Sequence, residues 1–197
     1  MEQKKQNTTE QKFELLKKQK AIFDGLLKKY EIGDDELIKW CETTDFYLAP
    51  ANPSTNLAGC EPGGLVKHLI SVGTYMLKQN EMLPETLKIS KKSIVTVALL
   101  HDFGKINLFK INSNDYFRKQ GKLYEYNNDL TSMQIGERTL YYLQNLVTLT
   151  ADEFQTILFF GKSDDKQAEY FGNIMVSMLR NAIKMSEYTM KNKSNSI

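Results

Sequence analysis

Residues 93–105 read SIVTVALLHDFGK and form the most hydrophobic stretch of the 197-residue chain. Residues 94–103 are apolar on almost every side, which predicts a helix at the centre of the fold. Ser90 or Ser93 is a suitable N-cap for this helix, and Gly104 is a suitable end. The apolar run leads directly into the pair His101–Asp102, so two polar side chains are predicted at the end of a buried helix.

On both sides of the central helix the apolar residues recur with a helical period. Further helices are predicted at about residues 9–31, 34–41, 64–83, 133–146, 151–160 and 166–190. Asp34 is the expected N-cap of the second helix, and Thr150 with Glu153 forms an expected capping box. Residues 116–126, YFRKQGKLYEY, predict a hairpin around Gly121. The predicted fold class is therefore all-α, a bundle of about six to eight helices with one small β-hairpin.

The sequence suggests a division into three parts. Residues 1–33 contain a lysine-rich amphipathic helix, residues 34–192 form the main helical domain, and residues 193–197 form a polar tail that we expect to be flexible. Residues 46–64 hold three of the four prolines and predict a long irregular connection. A connection of that length inside a compact domain is often functional.

Composition excludes several classes of protein. Hydrophobic residues make up 41% and charged residues 25%, which is typical of a folded globular chain. The net charge of +2 is too small to predict a nucleic-acid binder. The two cysteines form no CxxC pair, and no membrane span or signal-peptide core is visible. We therefore expect a soluble cytoplasmic protein without a membrane or nucleic-acid partner.

The chain has two histidines, which excludes sites that need three or more. Burying Asp102 beside His101 is unfavourable unless something compensates its charge, and a bound cation is a strong compensator. Imidazole and carboxylate together suit a divalent ion such as Mn, Fe, Co, Ni or Zn. The alternative is a local cap or salt bridge for Asp102 and ordinary core packing for His101. Residue types alone leave both alternatives open.

Two segments, GGLVKHLISV at 63–72 and VALLHDFGKI at 97–106, resemble the HD superfamily of metal-dependent phosphohydrolases. The likeness continues upstream through TTDFYLAPANPSTNLAGCEP and downstream through IGERTLYYLQNLVTLTADEFQTILFF. It covers roughly residues 37–160 and is strongest for small bacterial and phage HD-domain proteins. The resemblance implies an HD-like helical domain, phosphohydrolase activity, and a place in a bacterial or phage-infected cell.

The resemblance also implies a set of metal ligands. It places His68, His101 and Asp102 on three ligand positions of the family's mononuclear site, which would hold one divalent ion. A late aspartate completes that site in the family, and the segment KMSEYTM aligns Glu187 with it. A shift by one residue aligns Ser186, which is not a comparable ligand. The alternative for Glu187 is a solvated charge on a helix.

Two further residues acquire catalytic roles through the resemblance. Lys105 stands where the family has a lysine that faces the substrate phosphate, and its alternative is a solvated lysine after a helix end. Glu137 is a candidate general base or orienting group, although glutamates on helix surfaces are usually just solvated.

The sequence departs from the family at two positions. Ile135 and Phe160 stand where related proteins usually have histidines that serve a second metal or the substrate phosphate. Because neither side chain has a lone pair, these substitutions argue against a dinuclear site.

Two functions from different classes follow. The first is a mononuclear metal-dependent phosphohydrolase acting on a nucleotide or another small phosphate ester. The second is a catalytically degenerate HD domain that serves as a binding, regulatory or structural module, for example in a phage. Its N-terminal helix would then contact a partner protein or a second copy of the chain. A nucleic-acid binder has only scattered lysines in its favour.

Overall fold

The computed structural model describes residues 2–162 and 173–194. Over those residues the fold is all-α with one two-stranded antiparallel hairpin, which confirms the predicted fold class. The helices are α1 (Glu2–Lys29), α2 (Asp35–Glu42), α3 (Gly64–Glu81), α4 (Lys91–Leu100), α5 (Asp115–Lys119), α6 (Ile135–Leu143), α7 (Ala151–Phe159) and α8 (Ile174–Ser194). The strands are β1 (Phe109–Ile111) and β2 (Tyr124–Tyr126), and short 3₁₀ turns span Glu85–Leu87 and Phe103–Lys105.

Helix α4 lies at the centre of the molecule, as its all-round apolar sequence predicts. Every residue from Ile94 to Leu100 is buried. Helix α3 packs against both α4 and α8, and α7 packs against α4 and α8 from another side. An aromatic group formed by Phe23, Phe46 and Phe103 fills the core between α1 and the turn that follows α4.

The predicted helix starts are confirmed by their caps. Asp34 Oδ1 accepts a hydrogen bond from the Glu36 N–H at 2.8 Å, and Thr150 with Glu153 forms the capping box. Ser90 is the cap of α4, because its Oγ accepts from the Ser93 N–H at 3.0 Å. Each cap satisfies a backbone donor that the first helical turn leaves without a partner.

The hairpin exists, but its predicted first strand is wrong. β1 pairs with β2 in a register that joins Phe109 to Tyr126, whereas residues 115–119 form α5. The side chain of Asn114 accepts a hydrogen bond from the Tyr116 N–H at 2.9 Å and so starts this helix. Gly121, with φ of 83°, follows the end of the helix.

Several predicted helix boundaries also differ. Helix α4 ends at Leu100 rather than near Gly104, and Phe103–Lys105 form a separate 3₁₀ turn. Helix α1 begins at Glu2 rather than near residue 9. The predicted last helix begins at residue 166, and residues 163–172 lie outside the described part of the chain. Asn173 is not helical, and the helix that follows it begins at Ile174. The division into residues 1–33, 34–192 and 193–197 stays a prediction.

The connection between α2 and α3 contains neither helix nor strand, as predicted. Its end is fixed by close contact of two glycines: a Cβ on Gly64 would lie 2.1 Å from the Gly59 carbonyl oxygen. Gly63 has a φ of 75°, a backbone conformation that favours glycine. These glycines determine where α3 begins, and they thereby determine the position of His68, one helical turn later. Among the described residues, no helix has the length and hydropathy required to cross a membrane.

Candidate metal centre

His68 lies on α3 with its side chain almost fully buried. Its Nδ1 is 3.2 Å from Ser186 Oγ, on α8. The Ser186 hydroxyl donates toward the Met190 sulfur at 3.7 Å, so its oxygen is available to accept from the His68 Nδ1–H. This arrangement leaves a lone pair on His68 Nε2, which is the form of the ring that binds a metal.

His101 follows directly after α4 and is fully buried. Its Nδ1 is 3.0 Å from the Ala98 carbonyl oxygen, which only accepts hydrogen bonds, so Nδ1 carries the proton. Its Nε2 therefore presents a lone pair, yet it has no hydrogen-bond partner in the described structure. An orphaned polar atom of this kind is unusual in a protein core and requires an explanation.

Asp102 completes a group of three potential ligands with the two histidines. Its Oδ2 is 3.7 Å from His68 Nε2 and 3.6 Å from His101 Nε2. One ligand atom from each residue lies within 4.8 Å of the others, and all three residues are buried. Because metal bonds to nitrogen and oxygen are about 2.0–2.2 Å long, donors that share an ion stand roughly 3–4 Å apart. The three side chains therefore fit a single divalent ion.

A threonine from α6 fixes the turn that carries His101 and Asp102. Thr139 Oγ1 donates to the His101 carbonyl oxygen and accepts from the Gly104 N–H, both at 2.8 Å. Gly104 permits this contact, since a Cβ there would lie 2.2 Å from the Ile135 carbonyl oxygen. No local sequence pattern predicts the role of Thr139, because the contact joins residues far apart in the chain.

Lys105 lies beside the ligand group. Its Nζ is 2.8 Å from Asp102 Oδ2, and most of its side chain is buried. Burial, the largest single influence, would raise the pKa of Asp102, but the charge and hydrogen bond of Lys105 together with the two neighbouring histidines outweigh burial and hold that pKa below its usual range. The local salt bridge considered from the sequence is therefore present. It compensates the charge of Asp102 but leaves His101 Nε2 without a partner.

Both histidines are uncharged at neutral pH. Burial lowers the pKa of His68 from 6.5 to about 3, and burial also lowers the pKa of His101. The charge of Lys105 adds to both effects, whereas the carboxylate of Asp102 opposes them. Neutral imidazoles are ready to bind a metal without first losing a proton.

The structure does not bring Glu187 into the ligand group. Its side chain is exposed and lines the cavity beside His68, whereas Ser186 occupies the buried position on α8. At this position α8 therefore contributes the Ser186 hydroxyl, which orients His68 and lies one residue before the predicted ligand. A metal contact from Glu187 stays a prediction.

Glu137 has a structural task at the start of α6. Its Oε2 accepts from the Gln134 N–H at 3.2 Å in a capping box, and its Oε1 is 3.3 Å from Lys162 Nζ. Glu137 is not among the residues that line the cavity at His68 and Asp102. Its proposed role as a general base stays a prediction.

The cavity has a volume of about 260 Å³ and opens between the ligand group and the helices α6 and α7. Ile135 and Phe160 form part of its wall, with the Phe160 ring edge-on to His101 at a centroid distance of 5.1 Å. Lys162 also lines it, a basic residue that the sequence analysis missed because it follows a helix end without a recognisable motif.

Comparisons of the chain with protein-family models, with curated proteins and with solved structures give no match. The candidate site therefore has to be interpreted from its own geometry.

Proposed function

We propose that this protein is a mononuclear, metal-dependent phosphohydrolase of the HD type that acts on a nucleotide or another small phosphate ester. The observation that carries the proposal is the unpartnered Nε2 of His101, fully buried and 3.6 Å from Asp102 Oδ2. A divalent ion bound by His68, His101 and Asp102 would give this atom its missing partner. The order of these residues along the chain, one histidine followed later by a His-Asp pair, resembles the motif of the HD superfamily and also supports the proposal.

The residues behind the ligands support the same interpretation. Each imidazole is held through Nδ1, by Ser186 in one case and by the Ala98 carbonyl in the other. Metal-binding histidines usually have such a partner, because it fixes the tautomer and the direction of the free nitrogen. Two neutral imidazoles and one carboxylate suit Mn, Fe, Co, Ni or Zn.

The ion would supply Lewis acidity for a phosphoryl oxygen and would lower the pKa of a water molecule. The chain supplies the rest of the phosphate site through Lys105 and Lys162, whose side chains line the same cavity. Two ammonium groups favour a dianionic phosphate and stabilise negative charge that develops during its transfer. Phe160 and Ile135 form an apolar part of the cavity wall.

The proposal is tested by metal content and by phosphate release from a panel of nucleotides and small phosphate esters. His101→Ala and Asp102→Ala should lose the bound ion and at least a hundredfold in turnover. Asp129→Asn, which changes an exposed aspartate in the turn after the hairpin, serves as the control. Phosphate release that persists equally in both site variants would refute the proposal.

A degenerate HD domain is a second candidate, and the ion pair between Lys105 and Asp102 favours it. The charge of the buried carboxylate is already compensated by the chain itself. Helix α1 also exposes Phe13, Leu15 and Ile22, and the last two lie on one side of the helix, where they suit contact with a partner protein or a second copy. Stoichiometric metal with robust turnover would refute this candidate, whereas a metal-free, inactive protein would support it.

A further inference from the structure

Glu187, on α8, lies at the edge of the candidate phosphate site. This residue lines two cavities: the 260 Å³ cavity at the ligand group and a neighbouring cavity of about 460 Å³. The second cavity lies between the C-terminal half of α8 and the loop at residues 52–58. Because Glu187 belongs to both walls, a ligand that extends from one cavity into the other has to pass this residue.

The charge of the lining residues changes from the first cavity, past Glu187, to the second cavity. The first cavity is lined by Lys105 and Lys162 and by Asp102, whose charge Lys105 compensates. Glu187 stands at the junction, and Asn52, Asn56 and other uncharged residues line much of the second cavity. Lys191, one helical turn beyond Glu187, also lines the second cavity. A phosphate is attracted to the two lysines and repelled by Glu187. The group next to the phosphate therefore has to be uncharged and able to donate hydrogen bonds to a carboxylate.

Hydroxyl groups of a sugar meet this requirement. A carboxylate offers two oxygens and accepts charge-assisted hydrogen bonds from adjacent hydroxyls. Beyond the sugar, the second cavity contains the Tyr188 side chain, which is 74% exposed, together with the Asn56 side chain. An exposed aromatic ring stacks on a flat heterocycle, and an amide pairs with the polar edge of such a ring.

From these features we infer that Glu187 is a specificity-determining residue for a nucleoside monophosphate, with its carboxylate on the sugar hydroxyls and the base in the second cavity. The inference rests on the proposed function, because that function places the phosphate in the first cavity. It gives Glu187 a role that differs from the metal ligand expected from the sequence. A second phosphate in line with the first would meet the carboxylate, so a nucleoside diphosphate binds more weakly.

The test is calorimetric binding of three ligands to the full-length, metal-loaded protein: adenosine 5′-thiomonophosphate, adenosine 5′-(β-thio)diphosphate and inorganic phosphate. The thio analogues are chosen because they are hydrolysed slowly. Glu187→Ala should weaken the monophosphate by about tenfold to a hundredfold, as expected for lost charge-assisted hydrogen bonds. The same variant should bind the diphosphate more tightly than the wild type, and its Kd for phosphate should change less than threefold. Glu81→Ala, at the end of α3, is the control.

A purely structural role for Glu187 would not produce opposite changes for the two nucleotides. Loss of the bound ion in Glu187→Ala, measured by elemental analysis, would overturn the inference and identify a metal ligand. An unchanged Kd for the monophosphate would also overturn it. Failure of the proposed function would instead appear as absent turnover, whatever the binding result, so the two failures are distinguishable.

Discussion

The two walls of the candidate site are built from opposite chemistry. We call His68, His101 and Asp102 the inner wall, and Ile135 and Phe160 the outer wall. The inner wall holds buried polar atoms, each imidazole anchored through its Nδ1. The outer wall places apolar side chains against the same cavity. The difference shows that cation-binding atoms are concentrated on α3 and the end of α4, which suits one ion and leaves no donors on the outer wall residues for a second.

Acidification should have the largest effect on the free energy of unfolding, because it favours protonation of the two histidines of the inner wall. Both histidines have lowered pKa values in the folded protein, that of His68 falling from 6.5 to about 3. A lowered pKa means that stability is fully present above the unfolded value and is lost as the pH falls toward the folded value. His68 should remove about 2 kcal/mol of unfolding free energy between pH 6.5 and pH 5, and His101 should add a loss of the same sign.

Urea denaturation of the metal-free protein at pH 7 and pH 5 measures this loss. His68→Gln should reduce the pH dependence without abolishing it, because His101 is then the one histidine that gains a proton on unfolding. An unfolding free energy that is the same at both pH values would contradict the neutral, buried state of the inner wall.

Thr139→Val should give the next largest effect, because Thr139 joins the two walls. The substitution keeps the shape of the side chain but leaves the His101 carbonyl and the Gly104 N–H without their partner. We expect a loss of about 2–4 kcal/mol in unfolding free energy, because two buried hydrogen bonds of the Thr139 hydroxyl are lost. Thr139→Ser retains the hydroxyl and should lose less than half as much. Equal losses in the two variants would show that packing, and not the hydroxyl, fixes the turn.

Ser186→Ala tests whether the anchoring of His68 matters to the inner wall. Removing the oxygen that receives the Nδ1 proton frees the ring to change its tautomer and direction. Loss of such a partner typically weakens metal affinity by about 10–100-fold. Calorimetric titration with Mn²⁺ or Zn²⁺ measures the change, with Ser177→Ala on the exposed side of α8 as the control. A metal affinity equal to that of the wild type would remove Ser186 from the site.

Lys105→Met should produce the smallest change in metal affinity, and this change should be an increase, opposite to the decrease expected for Ser186→Ala. The lysine ammonium lies 2.8 Å from Asp102 Oδ2, so it competes with an ion for the carboxylate and repels the ion's charge. We expect metal affinity to rise by about tenfold while phosphate affinity falls, with Lys110→Met as the control. Weaker metal binding in the Lys105 variant would show that the lysine supports the ion and does not compete with it.

The elements of the fold were largely readable from the sequence, because local signals determine them. The apolar run of α4, the caps at Asp34 and Ser90, and the capping box at Thr150 are properties of a few neighbouring residues. The first strand of the hairpin was misplaced for a related reason. Aromatic residues at 116–117 favour a strand, but the Asn114 cap starts a helix there.

The candidate site was readable only in part. His68, His101 and Asp102 lie together as the motif predicted. The partners that hold them were not predictable, since Thr139 and Ser186 reach the ligands across long stretches of chain. On α8, the choice between Ser186 and Glu187 depends on the rotation of the helix by one residue, which a sequence pattern does not fix.

Metal occupancy of the wild-type protein tests the central claim most directly. The chain, saturated with Mn²⁺ or Zn²⁺ and freed of excess metal, should retain one ion per molecule by elemental analysis. Anomalous scattering from crystals should place that ion between His68, His101 and Asp102, and Asp102→Ala should retain none. A saturated protein without a bound ion, or with its ion at another position and this group empty, would contradict the claim.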